Sequence, residues 1–318
     1  MKAIWLENKI LSVRDDLPIP IPGEGEALLK LRMGGICSTD LEMVKGYYPF
    51  GGVLGHEFVG EVVEAAQKPE LVGKRVAGEI TIFCGECDAC LNNRTSHCEN
   101  RRTMGLIGKD GAFSEYLTLP IKNLHEVPDG VTDDQAVFTE LLAAALEIQQ
   151  EVDIRPKDKV VVVGAGRLGL LIAQCLRLTG CDLSVVVRRP QPAALLEKWG
   201  IRAVRAEELP KQKADLVVEV TGSAEGFSLS RSLVRPRGTL VLKSTFAGDI
   251  NLNLSSIVVD EIKLVGSRCG PFAPALRLLE NDLVDVRSLI NAKYTLAEGM
   301  EAFREADKPG MLKVLLTP

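Results

Sequence analysis

The segment Lys159–Arg189, "KVVVVGAGRLGLLIAQCLRLTGCDLSVVVRR", restricts what this chain can fold into more than any other stretch. Its opening β-branched run has no polar side, so Val160–Val163 reads as a parallel strand buried on both faces. The run enters G-x-G-x-x-G at Gly164, Gly166 and Gly169, and a helix follows with apolar positions at Leu168, Leu171, Ile172, Cys175 and Leu176. The first glycine allows a tight turn, the second lets a pyrophosphate approach the backbone, and the third lets helix and strand pack closely. The helix N-terminus then faces the phosphates. Strand before and helix after make this a dinucleotide site at Gly164, Gly166 and Gly169, with Arg167 and Leu168 between them. A ligand-free βαβ turn is the alternative. Further strands are expected at Asp215–Val220, Thr239–Lys243 and Ile262–Gly266, separated by helical stretches.

Cofactor choice depends on the end of the second strand, where an NAD site places Asp or Glu about 20 residues on. Here "LSVVVRRPQP" carries Arg188 and Arg189 and no carboxylate. Guanidinium pairs bidentately with phosphate, so NADP(H) is favoured over NAD(H); two solvated arginines at a loop start are the alternative.

Half of the eight cysteines fall in "FCGECDACLNNRTSHC", at Cys84, Cys87, Cys90 and Cys98. Four thiols at C-x2-C-x2-C-x7-C match the corners of a tetrahedral zinc with no open position, which makes the metal structural. A disulfide knot suits an oxidising compartment, but "MKAIWLENKILSV" alternates like a strand and lacks a signal peptide's apolar core. A cytoplasmic protein is therefore expected. Unliganded thiols or an iron–sulfur cluster are the other options, and His97 is a bystander. Cys175, Cys181 and Cys269 have no partner spacing and read as buried small side chains.

A second metal site is suggested by Cys37, His56 and Glu57 in "GGICSTDLEMVKGYYPFGGVLGHEFVGEV". Thiolate, imidazole and carboxylate are all zinc ligands, and three of them leave a position for water or substrate. Glycines crowd the stretch at Gly34, Gly35, Gly51, Gly52 and Gly55. Consecutive strand residues point to opposite faces, so His56 and Glu57 reach one metal only from a turn. Otherwise Glu57 stands behind the ligands, or Cys37 and His56 are ordinary core residues.

At 318 residues the chain has room for two domains. A net charge of -5 with no basic block argues against nucleic acid as a partner. No apolar run approaches the roughly 18–20 residues of a membrane span. Thr132 with Gln135, and Thr295 with Glu298, form capping boxes ahead of apolar helices; Leu296, Met300 and Phe303 share one face of the second.

The three motifs, in this order and nearly end to end, resemble the zinc-dependent medium-chain dehydrogenase/reductases, in the polyol, threonine and glucose dehydrogenase branch. That resemblance implies an α/β chain: a GroES-like β-rich catalytic domain over residues 1–140 with a zinc lobe at 84–98, a Rossmann doubly wound parallel-sheet domain over 141–268, and a return to the catalytic domain over 269–318. It implies Cys84, Cys87, Cys90 and Cys98 as structural-zinc ligands and Cys37, His56 and Glu57 at the catalytic zinc. Glu140, in "AVFTELLAAALEI", falls where the alcohol dehydrogenase branch has a cysteine, as a ligand or an exchangeable partner of Glu57. Thr39 matches a proton-relay position, while Glu42 stands where His is common. Tyr47, Tyr48 and Phe50 become candidates for the substrate cleft or for core. Lys313 and Arg268 become cofactor contacts, at the pyrophosphate and the nicotinamide side. The implied activity is hydride transfer between an alcohol (secondary alcohol, polyol or sugar) and a nicotinamide, with two zinc ions per chain, in a homodimer or homotetramer. A zinc-independent NADPH reductase of the same fold and a non-catalytic nucleotide sensor remain as rivals.

Overall fold

The computed structural model describes residues 1–245 and 252–318. They form two units, Met1–Glu140 with Phe272–Pro318, and Leu141–Pro271.

In the first unit the eleven-residue strand Glu26–Ile36 is the organising element. It pairs antiparallel with Phe58–Glu64, Tyr116–Pro120 and, through Gly34–Ile36, with the C-terminal strand Lys313–Thr317. The chain's end is thereby woven into its beginning. A hairpin of Ala3–Glu7 and Ile10–Arg14 turns at Asn8 and Lys9, both with positive φ, and adds a three-stranded sheet. Leu29, Leu31, Phe58, Val76, Phe113, Leu119 and Leu316 fill the core at 2 % exposure or less. Each contributes roughly 1.5–3 kcal/mol from burial. Phe113 meets Phe303 edge-on, ring centroids 6.1 Å apart, and so ties the helix Gly299–Ala306 to that core.

The second unit is a six-stranded parallel sheet in the order Arg202–Val204, Asp182–Val186, Lys159–Val163, Ala214–Glu219, Val234–Leu242, Lys263–Gly266. This is the doubly wound order, and the order of the strands reverses between Lys159–Val163 and Ala214–Glu219. Val160–Val163 are buried, as a two-sided parallel strand requires. The strands expected at Asp215, Thr239 and Ile262 lie within one residue of those observed, except that Val234–Leu242 begins five residues earlier. Both capping boxes form; the one at Thr295 opens a 3-10 turn, Leu296–Glu298, before the helix proper. Among the described residues no helix is long and apolar enough to cross a membrane.

Candidate active site

Cys37 follows directly on the central strand and caps the helix Ser38–Lys45. His56 and Glu57 occupy the turn before Phe58, the residue paired with Gly34, so the register brings both to the end of the same strand. Gly55 makes that turn with φ 101°, and a Cβ there would lie 2.4 Å from the Phe113 ring. One donor atom each from Cys37, His56 and Glu57 then falls within 4.8 Å of the others, and all three residues are buried.

Two further side chains fix these donors. Asp40, fully buried, accepts from the Cys37 backbone N–H at 2.8 Å and lies 3.1 Å from His56 Nδ1. With Nδ1 engaged, Nε2 is the nitrogen left for a metal. Burial disfavours the imidazolium, but the Asp40 carboxylate and the Cys37 sulfur outweigh it and raise the His56 pKa well above its ordinary 6.5. Glu57 Oε2 is ion-paired with Lys313 Nζ, both side chains having no exposure, while Glu57 Oε1 is buried without a hydrogen-bond partner. An orphaned carboxylate oxygen beside a thiol and an imidazole is what a harder-than-thiolate zinc site needs.

The placement of Lys313 corrects an expectation. It does not reach toward a pyrophosphate: strand pairing of Val314 with Ile36 draws it inside the first unit, where its ammonium meets Glu57 and lies 5.4 Å from the Phe138 ring. Glu140, half-buried in the first turn of the helix Thr139–Leu146, is not in the donor cluster. Thr39 is half-buried, its Oγ1 3.8 Å from Cys37 Sγ. Glu42 is hydrogen-bonded to Lys45 at 3.2 Å on the solvent side. Tyr47 and Tyr48 are 40 % and 47 % exposed and so are not core.

The four-cysteine loop closes on itself. Sγ–Sγ separations are 3.5 Å for Cys84–Cys98 and Cys87–Cys90, and 3.9 Å for Cys84–Cys90 and Cys87–Cys98. A tetrahedral zinc with Zn–S near 2.3 Å has edges of about 3.8 Å, so the thiols fit the ion. Backbone N–H groups of Glu86 and Cys87 aimed at Cys84 Sγ lower its pKa to about 6, whereas burial pushes Cys90 up to about 12.

In the second unit the glycines sit between the strand Lys159–Val163 and the helix Arg167–Arg177. A Cβ on Gly169 would lie 2.1 Å from Gly164 O, whereas one on Gly166 would meet nothing within 4 Å. The third glycine is thus needed for packing, and the second faces open space that a phosphate can enter. Arg167 and Leu168 are half-buried at the helix start, and the helix face is buried through Leu170–Leu176 instead of beginning at Leu168. Arg188 and Arg189 are exposed two and three residues after the strand Asp182–Val186. Arg268 is exposed, and its carbonyl accepts from Lys243 at 2.6 Å. Of the remaining cysteines only Cys175 is buried; Cys181 and Cys269 lie near loop ends and are half-exposed, against expectation.

Asp40 was missed in the sequence, although "CSTD" places an acid three positions after a capping residue, where it reaches back to the cap's N–H. The role of Lys313 had no local signal.

A dinucleotide fold in one unit, with one closed and one open donor cluster in the other, defines a class: the metal-dependent nicotinamide dehydrogenases. Comparison with known proteins gives the family. Residues 23–129 match the alcohol dehydrogenase GroES-like domain and residues 168–281 the zinc-binding dehydrogenase domain. The chain is 32 % identical to sorbitol dehydrogenase of Halalkalibacterium halodurans over 95 % of its own length and 94 % of the relative's. It is 32 % identical to L-galactonate-5-dehydrogenase of Escherichia coli K12, covering 89 % of each chain. A zinc-binding dehydrogenase of Sinorhizobium meliloti 1021, solved bound to NADP, superimposes with a TM-score of 0.91 at 30 % identity over 100 % of this chain and 99 % of that one. The chain belongs to the zinc-type medium-chain dehydrogenase/reductases.

Proposed function

We propose that this chain is a two-zinc dehydrogenase that interconverts a secondary alcohol, polyol or sugar hydroxyl and its carbonyl, using NADP(H) in preference to NAD(H). The observation that carries it is the buried trio Cys37, His56 and Glu57, whose carboxylate keeps one oxygen without a partner. Relatives named for sorbitol and L-galactonate support a polyhydroxylated substrate.

Cys37, His56 and Glu57 would hold the first zinc, and Cys84, Cys87, Cys90 and Cys98 the second. When bound at the first site, zinc supplies Lewis acidity, which acidifies an alcohol hydroxyl and polarises a carbonyl, and the nicotinamide supplies the hydride acceptor or donor. The protein's own residues do the rest. Asp40 orients His56, and Lys313 holds one oxygen of Glu57 so that the other stays turned to the donors. Thr39 Oγ1, beside Cys37, accepts the hydroxyl proton and passes its own toward solvent. Arg188 and Arg189, exposed after the second strand, would pair with a 2′-phosphate. Glu140, outside the donor cluster, would serve as an exchangeable partner of Glu57.

An even-numbered homo-oligomer belongs with this proposal, because Val258 and Val259 expose 74 % and 80 % of their surface near the sheet's last strand. The deciding experiment pairs metal analysis with a polyol screen on Cys37→Ala. Expected are two zinc ions per wild-type chain, one in the variant, and loss of turnover with cofactor binding kept. Retained turnover in the variant would reject the proposal.

A further inference from the structure

Glu219 ends the strand Ala214–Glu219 and is only 4 % exposed, yet none of the ion pairs among the described residues involves it. Its oxygens are held by neutral donors. Oε1 accepts from the Thr221 backbone N–H at 2.6 Å and from the Thr221 hydroxyl at 2.5 Å, and Oε2 accepts from the Ser244 hydroxyl at 2.5 Å. Ser244 Oγ also receives the Gly222 N–H at 2.9 Å, and Thr221 Oγ1 receives the Ser223 N–H at 3.2 Å and lies 3.1 Å from Ser223 Oγ. Both carboxyl oxygens of Glu219 thus sit against neutral donors, one backbone N–H and two hydroxyls. Among the described residues no ammonium or guanidinium forms an ion pair with this carboxyl group.

Its position gives that group a use. Val163, the residue before the first motif glycine, is the direct parallel neighbour of Glu219, and a Cβ on Gly164 would lie 2.8 Å from Val220 O. Glu219 therefore stands at the carboxyl edge of the sheet where the strand order reverses, on the side of Ala214–Glu219, Val234–Leu242 and Lys263–Gly266. In a doubly wound sheet the strand bearing Arg188 and its neighbours take the adenosine half of a dinucleotide, and the opposite three strands take the nicotinamide half. Hydride from a carbinol carbon, a proton with two electrons, converts the positive pyridinium into a neutral dihydropyridine. A fixed anion near that half would distinguish the two forms.

We infer that Glu219 is a specificity-determining residue for cofactor redox state, its buried carboxylate favouring the oxidised nicotinamide over the reduced one. The inference rests on the dehydrogenase proposal but concerns the dinucleotide alone.

Dissociation constants for NADPH, from its fluorescence, and for NADP+, by competition, test it in the purified full chain. Glu219→Gln removes the charge and keeps the shape. It should weaken NADP+ roughly three- to tenfold relative to NADPH. Glu219→Asp keeps the charge and should restore the wild-type ratio. Ser244 is half-exposed, so Ser244→Lys can bring an ammonium to Oε2 without removing the carboxylate, and it must shift the ratio in the same direction as Glu219→Gln. Should Glu219→Gln fail to fold, the lysine variant decides. Equal weakening of both forms, or no change in the ratio, would assign Glu219 a purely structural part and overturn the inference. A wild-type chain that binds neither form would reject the dehydrogenase proposal along with it.

Discussion

The carboxylate of Asp40 stands 3.1 Å from Nδ1 of His56, with no solvent reaching either side chain beyond a few per cent. The same carboxylate caps Cys37 through its backbone, so one residue orients two metal donors. Replacing Asp40 by Ala frees the imidazole to rotate and leaves the Cys37 amide unpaired. Metal affinity at this site should fall about 10- to 100-fold, measured by competition with a chelator, while the four-cysteine site keeps its ion. Unaltered affinity would show that Asp40 serves only the helix cap.

Glu57 and Lys313 share a bond with no exposure on either partner. Removing one member of such a pair leaves the other charged and dry, at a cost of about 3–5 kcal/mol. Lys313→Met is expected to lower the urea midpoint accordingly, and Lys313→Met with Glu57→Gln to recover much of the loss. A double variant no more stable than the single one would contradict this assignment.

Alkylation should separate the thiols. In chelator-treated protein Cys84, exposed and with its pKa lowered to about 6 by backbone N–H groups, is a thiolate at pH 7 and reacts first with iodoacetamide. Cys175, raised to about 12 by burial, reacts only after unfolding. Mass spectrometry of timed digests reads the order, and protection of Cys84 by added zinc completes the test.

Cofactor preference is expected to reside in Arg188 and Arg189. Their joint replacement by Ala removes two exposed guanidinium groups at the end of the second strand. The kcat/KM for NADPH should drop by about 10- to 100-fold, the loss of roughly 1.4 to 3 kcal/mol of phosphate pairing, with NADH little changed. An equal loss with both cofactors points to a general electrostatic effect.

Acid should unfold the first unit partly through Glu26. Burial opposes its ionisation, but hydrogen bonds from Lys109, at 2.8 Å, and from the Gly23 amide outweigh that and lower its pKa below 4.5. A folded-state pKa below the unfolded one means stability that is full above the ordinary carboxylate range and is lost as pH falls through the lowered value. Glu26→Gln should therefore flatten the fall in melting temperature below about pH 4.5, with little slope change near neutrality. An unchanged acid limb would mean that other carboxylates govern it.

Local chemistry made much of this legible beforehand. Val160–Val163, Gly169 and the helix after them lie close together in the chain, so a period and three glycines suffice to specify a strand, a turn and their packing. Cys84 to Cys98 span one loop, and a loop that short has few ways to place four sulfurs. Lys313 could not be read this way. Its neighbour in space, Glu57, comes from elsewhere in the chain, and a resemblance supplies an aligned position without a direction for the side chain.

The linear chain by itself determined which segments become strands and helices, where the phosphates of a dinucleotide can approach, and which thiols can share an ion, because each depends on side chains within a few residues of one another. Tertiary structure alone decided that Lys313 faces Glu57, that Asp40 braces His56 and that Ser244 bonds Glu219 at the sheet's edge. Those contacts arise from strand register between segments up to 256 residues apart, and register is set by the packing of the whole core.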